Sequence, residues 1–191
     1  MKTPVFQGTC TALVTPFTRD GIDLPALRDL VNWQIESGVS ALVVCGTTGE
    51  PSTMTDTEWA QVVAAAVETA AGRIPVIAGT GGNNTRHVMA LARQARHLGA
   101  AVQLCVTPYY NKTTPQGLIA HYTAIAEEGS LPLILYNVPG RTGLNMQPET
   151  VAELSRHPQV IGMKEASGDM VCLADMMRLS EPGFAFYSGA D

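Results

Sequence analysis

Residues 160–169 read VIGMKEASGD. Val160, Ile161 and Met163 make an apolar run of strand type, and Lys164 follows it at once. An ammonium at the lip of a buried run needs either a partner or a task. The run is one of seven rich in Val, Ile and Leu: GTCTALVTPF (8–17), VSALVVCG (39–46), PVIAGTG (75–81), AVQLCVTP (101–108), PLILYNVP (132–139), QVIGMK (159–164) and FAFYSG (184–189), beginning about every 25 to 36 residues. They are continuously apolar rather than alternating, as strands of a parallel sheet covered on both faces should be.

Helical patterns lie between the runs. Asp23 caps a helix with the stripe Leu24, Leu27, Val31 and Ile35, which stops at Gly38. Thr55 and Glu58 form a capping box ahead of Trp59, Val62, Val63 and Ala66, with Gly72 after them. Val88, Leu91, Ala92 and Ala95 mark a third helix ending at Gly99, and Leu118, Ile119, Tyr122 and Ile125 a fourth ending at Gly129. Pro148 opens a short fifth with Val151 and Leu154, and Leu173, Met176 and Met177 mark a sixth. These stripes are core faces.

Strand and helix alternating at this period predict an α/β fold, either a doubly wound sheet or a (β/α)8 TIM barrel. The strand-end loops favour the barrel. A doubly wound sheet gathers its site at one switch point. Here nearly every run ends in a polar or glycine-rich loop: GTTGE, GTGGNN, TPYYN, YNVPGRTG, KEASGD and SGAD. GTGGNN is not a dinucleotide fingerprint.

A chain of 191 residues, 46% of them hydrophobic, is enough for one domain with a sizeable core. The net charge of −5 gives no electrostatic case for nucleic acid or an anionic membrane. MKTPVFQGTC lacks the apolar stretch of a signal peptide, and no run approaches the ~20 apolar residues of a membrane span. Cys10, Cys45, Cys105 and Cys172 are far apart and read as reduced residues, and the histidines show no ligand spacing, so no metal site is expected.

Lys164 is one of three lysines, with Lys2 at the terminus and Lys112 in a loop that suits a solvated charge. At a strand's C-terminal end a partly desolvated amine can attack a ketone and form a Schiff base; a structural ion pair with Glu165 is the other reading. Tyr136 closes the preceding strand and can shuttle protons, or it can be a core tyrosine. Thr47 and Thr48 offer hydroxyls and backbone N–H groups for a carboxylate, or simply a tight turn. Arg141 is a fork-shaped donor suited to a second carboxylate, or a solvated loop cation.

GTTGE, VTPYYN, YNVPGRTG and KEASGD, in that order, closely resemble the dihydrodipicolinate synthase family over the whole chain. YNVPxRTG is the most specific of them. GTTGE and the Schiff-base lysine are shared more widely, with N-acetylneuraminate lyase and related pyruvate aldolases. The resemblance implies a (β/α)8 barrel, a cytoplasmic homotetramer, and condensation of pyruvate with aspartate semialdehyde in lysine and diaminopimelate synthesis, without metal or redox cofactor. It implies Lys164 as the Schiff-base lysine and Tyr136 as proton donor and acceptor. Thr47 and Tyr110 resemble the relay to solvent, Tyr110 coming from a neighbouring subunit. Thr48 resembles the residue holding pyruvate's carboxylate, Arg141 the one holding the semialdehyde's, and Gly189 lies near the pyruvate site.

The chain departs from the family in two places. SGAD carries Ala190 where the family usually has an acid, and the chain stops at Asp191, well before the family's usual end. The expected architecture is therefore an incomplete barrel over 1–191, lacking the eighth strand and the C-terminal helices, with the strands near 8–14 and 184–188 left unpaired to each other. The residues are expected to be part of a longer protein. Lysine inhibition is expected to be weak, because the resemblance places His87 where inhibited members carry a glutamate, and Asp56 and Trp59 where they carry histidines, while Asn83 and Tyr109 are kept. Two alternatives stay open: a sister aldolase for a sugar acid, disfavoured by Arg141, and a non-catalytic fragment of the fold.

Overall fold

The structure is a computed structural model that describes residues 2–189. The Ala190 departure and Asp191 lie outside the described residues. In chain order the elements are β1 (Cys10–Ala12), β2 (Phe17–Thr18), β3 (Gly21–Ile22), α1 (Leu24–Glu36), β4 (Ala41–Val44), α2 (Asp56–Ala70), β5 (Val76–Gly79), α3 (Thr85–His97), β6 (Val102–Val106), α4 (Pro115–Gly129), β7 (Leu133–Asn137), α5 (Pro139–Thr142), α6 (Pro148–Ser155), β8 (Val160–Glu165), α7 (Met170–Leu179) and β9 (Ala185–Ser188). The seven-stranded sheet runs β1-β4-β5-β6-β7-β8-β9, with β1–β4, β4–β5, β5–β6, β7–β8 and β8–β9 pairing in parallel, so the expected α/β alternation is the architecture found. β1 and β9 end that order, and no ladder joins them among the described residues.

The apolar run at 8–17 is shorter as a strand than its sequence implies. The ladder holds Cys10–Ala12 against β4, flanked by bonds from the Ser40 N–H to the Thr9 carbonyl at 2.8 Å and from the Leu13 N–H to the Val43 carbonyl at 2.9 Å. Pro16 has no N–H to donate, and past it the chain folds into an antiparallel hairpin, Phe17 opposite Ile22. The hairpin had no counterpart in the sequence reading.

The chain divides into two compact units. One comprises residues 5–80 and 94–104. Here Asp23 caps α1 by accepting the Ala26 N–H at 3.0 Å, and Leu27 and Val31 bury the inner stripe. The Thr55–Glu58 capping box of α2 is formed in both directions. α2 ends in a left-handed residue at Ala71 rather than at the glycine that follows. Trp59 lies in this core, its indole N–H donating to the Gly79 carbonyl at 3.0 Å. Cys45 is buried and unbridged, and desolvation pushes its thiol up to about 12.

The other unit comprises residues 2–4, 81–93 and 105–189 of the described chain. Its core joins Leu118, Tyr122 and Ile125 of α4 to Leu133 and Leu135 of β7, Val151 and Leu154 of α6, Val160 and Met163 of β8 and Met176 of α7. Each large side chain fully buried in this way contributes roughly 1.5–3 kcal/mol. α4 starts at Thr114, whose hydroxyl accepts the Gly117 N–H at 3.1 Å, and ends in left-handed Ser130. Asp169 caps α7 through the N–H groups of Val171 and Cys172. No helix among the described residues is long and apolar enough to cross a membrane.

His121, on α4, is buried; its Nδ1 lies 2.8 Å from the Thr85 hydroxyl and its Nε2 has no partner among the described residues. Desolvation holds the imidazole down at about 4, against an ordinary 6.5. The folded ring therefore stays neutral while the unfolded chain takes up a proton. The associated stability is fully present above pH 6.5 and is lost as pH falls toward 4. Between pH 6.5 and 5 the loss should be about 1.5 kcal/mol. Urea denaturation of the wild type and His121→Phe across that window should show the wild type falling by this much more than the variant; parallel pH profiles would disprove the assignment.

Candidate active site

β7 and β8 pair in parallel, Leu133 opposite Val160 but Ile134 opposite Gly162, so β8 contributes one extra residue at Ile161. The shift carries through to the strand ends and sets Tyr136 opposite Lys164 and Asn137 opposite Glu165. Without it, Tyr136 would pair with Met163. Paired residues share a face, so the irregularity is what sets the amine beside the phenol. Lys164 Nζ lies 4.7 Å from the centroid of the buried Tyr136 ring, within cation–π range.

Glu165 is not the partner of Lys164 that the sequence offered as one reading. Successive strand residues face opposite ways, and among the described residues no carboxylate lies within 4.0 Å of the Lys164 amine. The Glu165 carboxylate instead accepts from the Asn137 amide at 2.9 Å and from the Ser167 N–H. Asn137 is fully buried; its amide nitrogen also donates to the Asn145 side chain at 2.7 Å, and its oxygen accepts the Met146 N–H at 3.1 Å. These bonds clamp both ends of the loop that carries Arg141. The sequence reading missed this clamp, although YN and KE repeat the same order at two neighbouring strand ends.

Arg141 sits on the one-turn helix α5, exposed, with no partner among the described residues; the turn closes at left-handed Gly143, φ 69°. Gly189 donates its N–H to the Glu165 carbonyl at 2.7 Å. A Cβ there would stand 2.6 Å from Lys164 Cε, so any side chain would push the lysine aside. Tyr110 is 92% exposed, with φ 69°, and is not packed against Lys164 or Tyr136 of its own chain. Thr47 and Thr48 belong to the other unit. They form an exposed 3-10 turn after β4, opened by extended Gly46 and closed by left-handed Glu50.

The remaining lysines differ sharply. Lys2 donates to the carbonyls of Ser155, His157 (2.8 Å) and Val160, over the ring of Phe184. It ties the N-terminal segment to the end of α6, and burial lowers its pKa while Glu181 opposes that. Lys112 is exposed. Among the described residues no group of three His, Cys, Asp or Glu side chains converges as metal ligands would.

The family model described as "Dihydrodipicolinate synthetase family" matches residues 5–191. A curated protein from Thermoanaerobacter sp. (strain X514), named 4-hydroxy-tetrahydrodipicolinate synthase, is 52% identical over 189 residues, covering 98% of this chain and 64% of the relative. The dihydrodipicolinate synthase structure from Thermotoga maritima superposes with a TM-score of 0.94 at 43% identity, over 97% of this chain and 64% of that one. The chloride-inhibited synthase from Acinetobacter baumannii, complexed with pyruvate, gives 0.93 at 47% identity, over 96% and 63%. The chain thus spans about 64% of the length of the curated relatives it matches.

Asn137→Leu keeps the volume but removes two donors and an acceptor from a buried cluster. It leaves the Glu165 carboxylate short of a donor and the Met146 N–H without an acceptor, so folding stability should fall by about 3 kcal/mol in urea titrations. Asn145→Leu, at an exposed position, should cost less than a third of that. Equal losses would show that the clamp does not centre on Asn137.

Proposed function

This chain belongs to the dihydrodipicolinate synthetase family, and from that premise we propose that it carries the Schiff-base centre of an enzyme condensing pyruvate with aspartate semialdehyde to 4-hydroxy-tetrahydrodipicolinate. The observation that supports this most is the Lys164 amine against the face of Tyr136 at two paired strand ends. In this reading the Lys164 amine attacks the C2 ketone of pyruvate and water leaves, giving a protonated imine. The imine is the electron sink: Tyr136 takes a proton from the methyl carbon and an enamine forms. The enamine carbon bonds to the aldehyde carbon of the semialdehyde, whose oxygen takes a proton. The substrate's amine then adds to the imine carbon, closing the ring and releasing Lys164.

The other residues fill the remaining roles. Thr47 and Tyr110 relay protons between Tyr136 and solvent. The exposure of Tyr110 suits a side chain that reaches into a neighbouring subunit of a homotetramer. Thr48 and the N–H groups of its turn hold pyruvate's carboxylate, and Arg141 holds that of the semialdehyde. Gly189 leaves room for the lysine stem. An assembled cytoplasmic enzyme of lysine and diaminopimelate synthesis is the corresponding biological setting.

Incubating the intact protein with pyruvate and borohydride should add one reduced pyruvate, and peptide mapping should place it on Lys164. An adduct on Lys112 or Lys2, or none, would overturn the assignment.

Arg141→Ala should raise KM for aspartate semialdehyde at least roughly tenfold, a charge-assisted contact being worth about 1.5–3 kcal/mol, while KM for pyruvate changes little. If steady-state kinetics moved both constants equally, Arg141 would be a structural residue.

A further inference from the structure

Lys112 lies in the loop joining β6 to α4, where both it (φ 47°) and Tyr110 (φ 69°) are left-handed without being glycine. Such residues persist only where the surroundings fix them. Here the Asn111 N–H donates to the Tyr109 carbonyl at 2.8 Å, the Asn83 amide donates to the same carbonyl at 3.3 Å, and the Asn111 amide donates to the Asn83 carbonyl at 3.3 Å. The held loop brings Lys112 Cε to 3.5 Å from the position a Cβ would take on Gly143. Gly143 closes the turn of α5, two residues past Arg141. Lys112 and Arg141 are thus carried by loops that meet after β6 and β7, and β7 is the neighbour of the strand that carries Lys164. Among the described residues neither cation has an acidic partner, in common with Arg19, Arg86 and Arg96 but unlike Arg28, Arg93, Arg156 and Arg178. Two exposed cations without an acidic partner, on loops that touch in a chain of net charge −5, are a local attractor for an anion.

We propose that Lys112 is a second cationic anchor for the carboxylate of the aldehyde substrate, working with Arg141 to draw in and select an anionic aldehyde. The proposal rests on the function given above. The ammonium, on a flexible stem, acts as a point charge, while the guanidinium supplies the directed, two-pronged contact. Lys112 thus governs capture, and Arg141 orientation.

The test is ping-pong steady-state kinetics on the intact protein with Lys112→Gln, Lys112→Arg and, as a charge-matched control, Arg178→Gln, over a range of ionic strength. Removing an exposed cation at the mouth of a site acts mainly on encounter, so Lys112→Gln should lower kcat/KM for aspartate semialdehyde roughly five- to tenfold at low salt. It should also flatten the salt dependence and leave kcat/KM for pyruvate and the borohydride-trapped adduct unchanged. Lys112→Arg should restore the value and Arg178→Gln should alter nothing. Equal loss for both substrates, no loss at all, or a loss that follows thermal stability without rescue by arginine would each overturn the anchor while leaving the Schiff-base reading intact. Failure of the wild type to form the pyruvate adduct would remove both.

Discussion

The β7–β8 ladder carries one more residue on β8 than on β7, at Ile161, and both faces of the strand ends are arranged by that offset. On one face it sets the Lys164 amine against the Tyr136 ring; on the other it sets Glu165 against Asn137. A one-residue slip would exchange the faces, leaving the amine over the polar clamp and the carboxylate facing the phenol. The core beneath resists that slip, because Val160, Met163, Leu133 and Leu135 are all fully buried and would have to turn with it.

The second face is costly in isolation. A carboxylate almost excluded from water must be well supplied with donors. Asn137 and the Ser167 N–H supply them, and Asn137 spends its remaining capacity on Asn145 and Met146. The same few bonds that satisfy the buried acid therefore hold the start and finish of the loop bearing Arg141. Stability and placement of the guanidinium are linked through one amide side chain. That explains why a polar cluster can persist at a position where an apolar pair would pack as well.

Much of this was legible in the sequence. The seven apolar runs, the helical stripes (except Met177, which is exposed), the caps at Asp23 and Thr55, the opening of α6 at Pro148, and the strand-end positions of Tyr136 and Lys164 follow from period and punctuation. What was hidden has physical reasons. Continuously apolar strands carry no alternation, so neither the extra residue at Ile161 nor the facing of Glu165 could be read from them. The left-handed positions at Ala71, Tyr110, Lys112 and Ser130 are not glycines, so composition gave no sign of them. The run at 8–17 looked like one strand because apolar character continues through Val14 and Phe17, past Ala12 where the ladder ends. α5, one turn inside the connection from β7 to α6, is too short for any periodic signal.

The three lysines show how surroundings divide one side chain among different tasks. An ammonium has three donors and, until it loses a proton, no lone pair. Lys2 places its amine among three carbonyls between the end of α6 and the start of β8, so an attack by that amine would first have to give up those bonds. Lys112 is exposed on its loop, its stem near Gly143, and its nitrogen is held by no partner among the described residues. Lys164 is held by a ring face. That contact positions the charged nitrogen through the ring quadrupole and occupies none of its hydrogen-bond donors, but it depends on the positive charge and is given up with it. Of the three, only Lys164 has its amine set against a buried ring at a strand end with none of its donors taken up by a carbonyl or a carboxylate among the described residues.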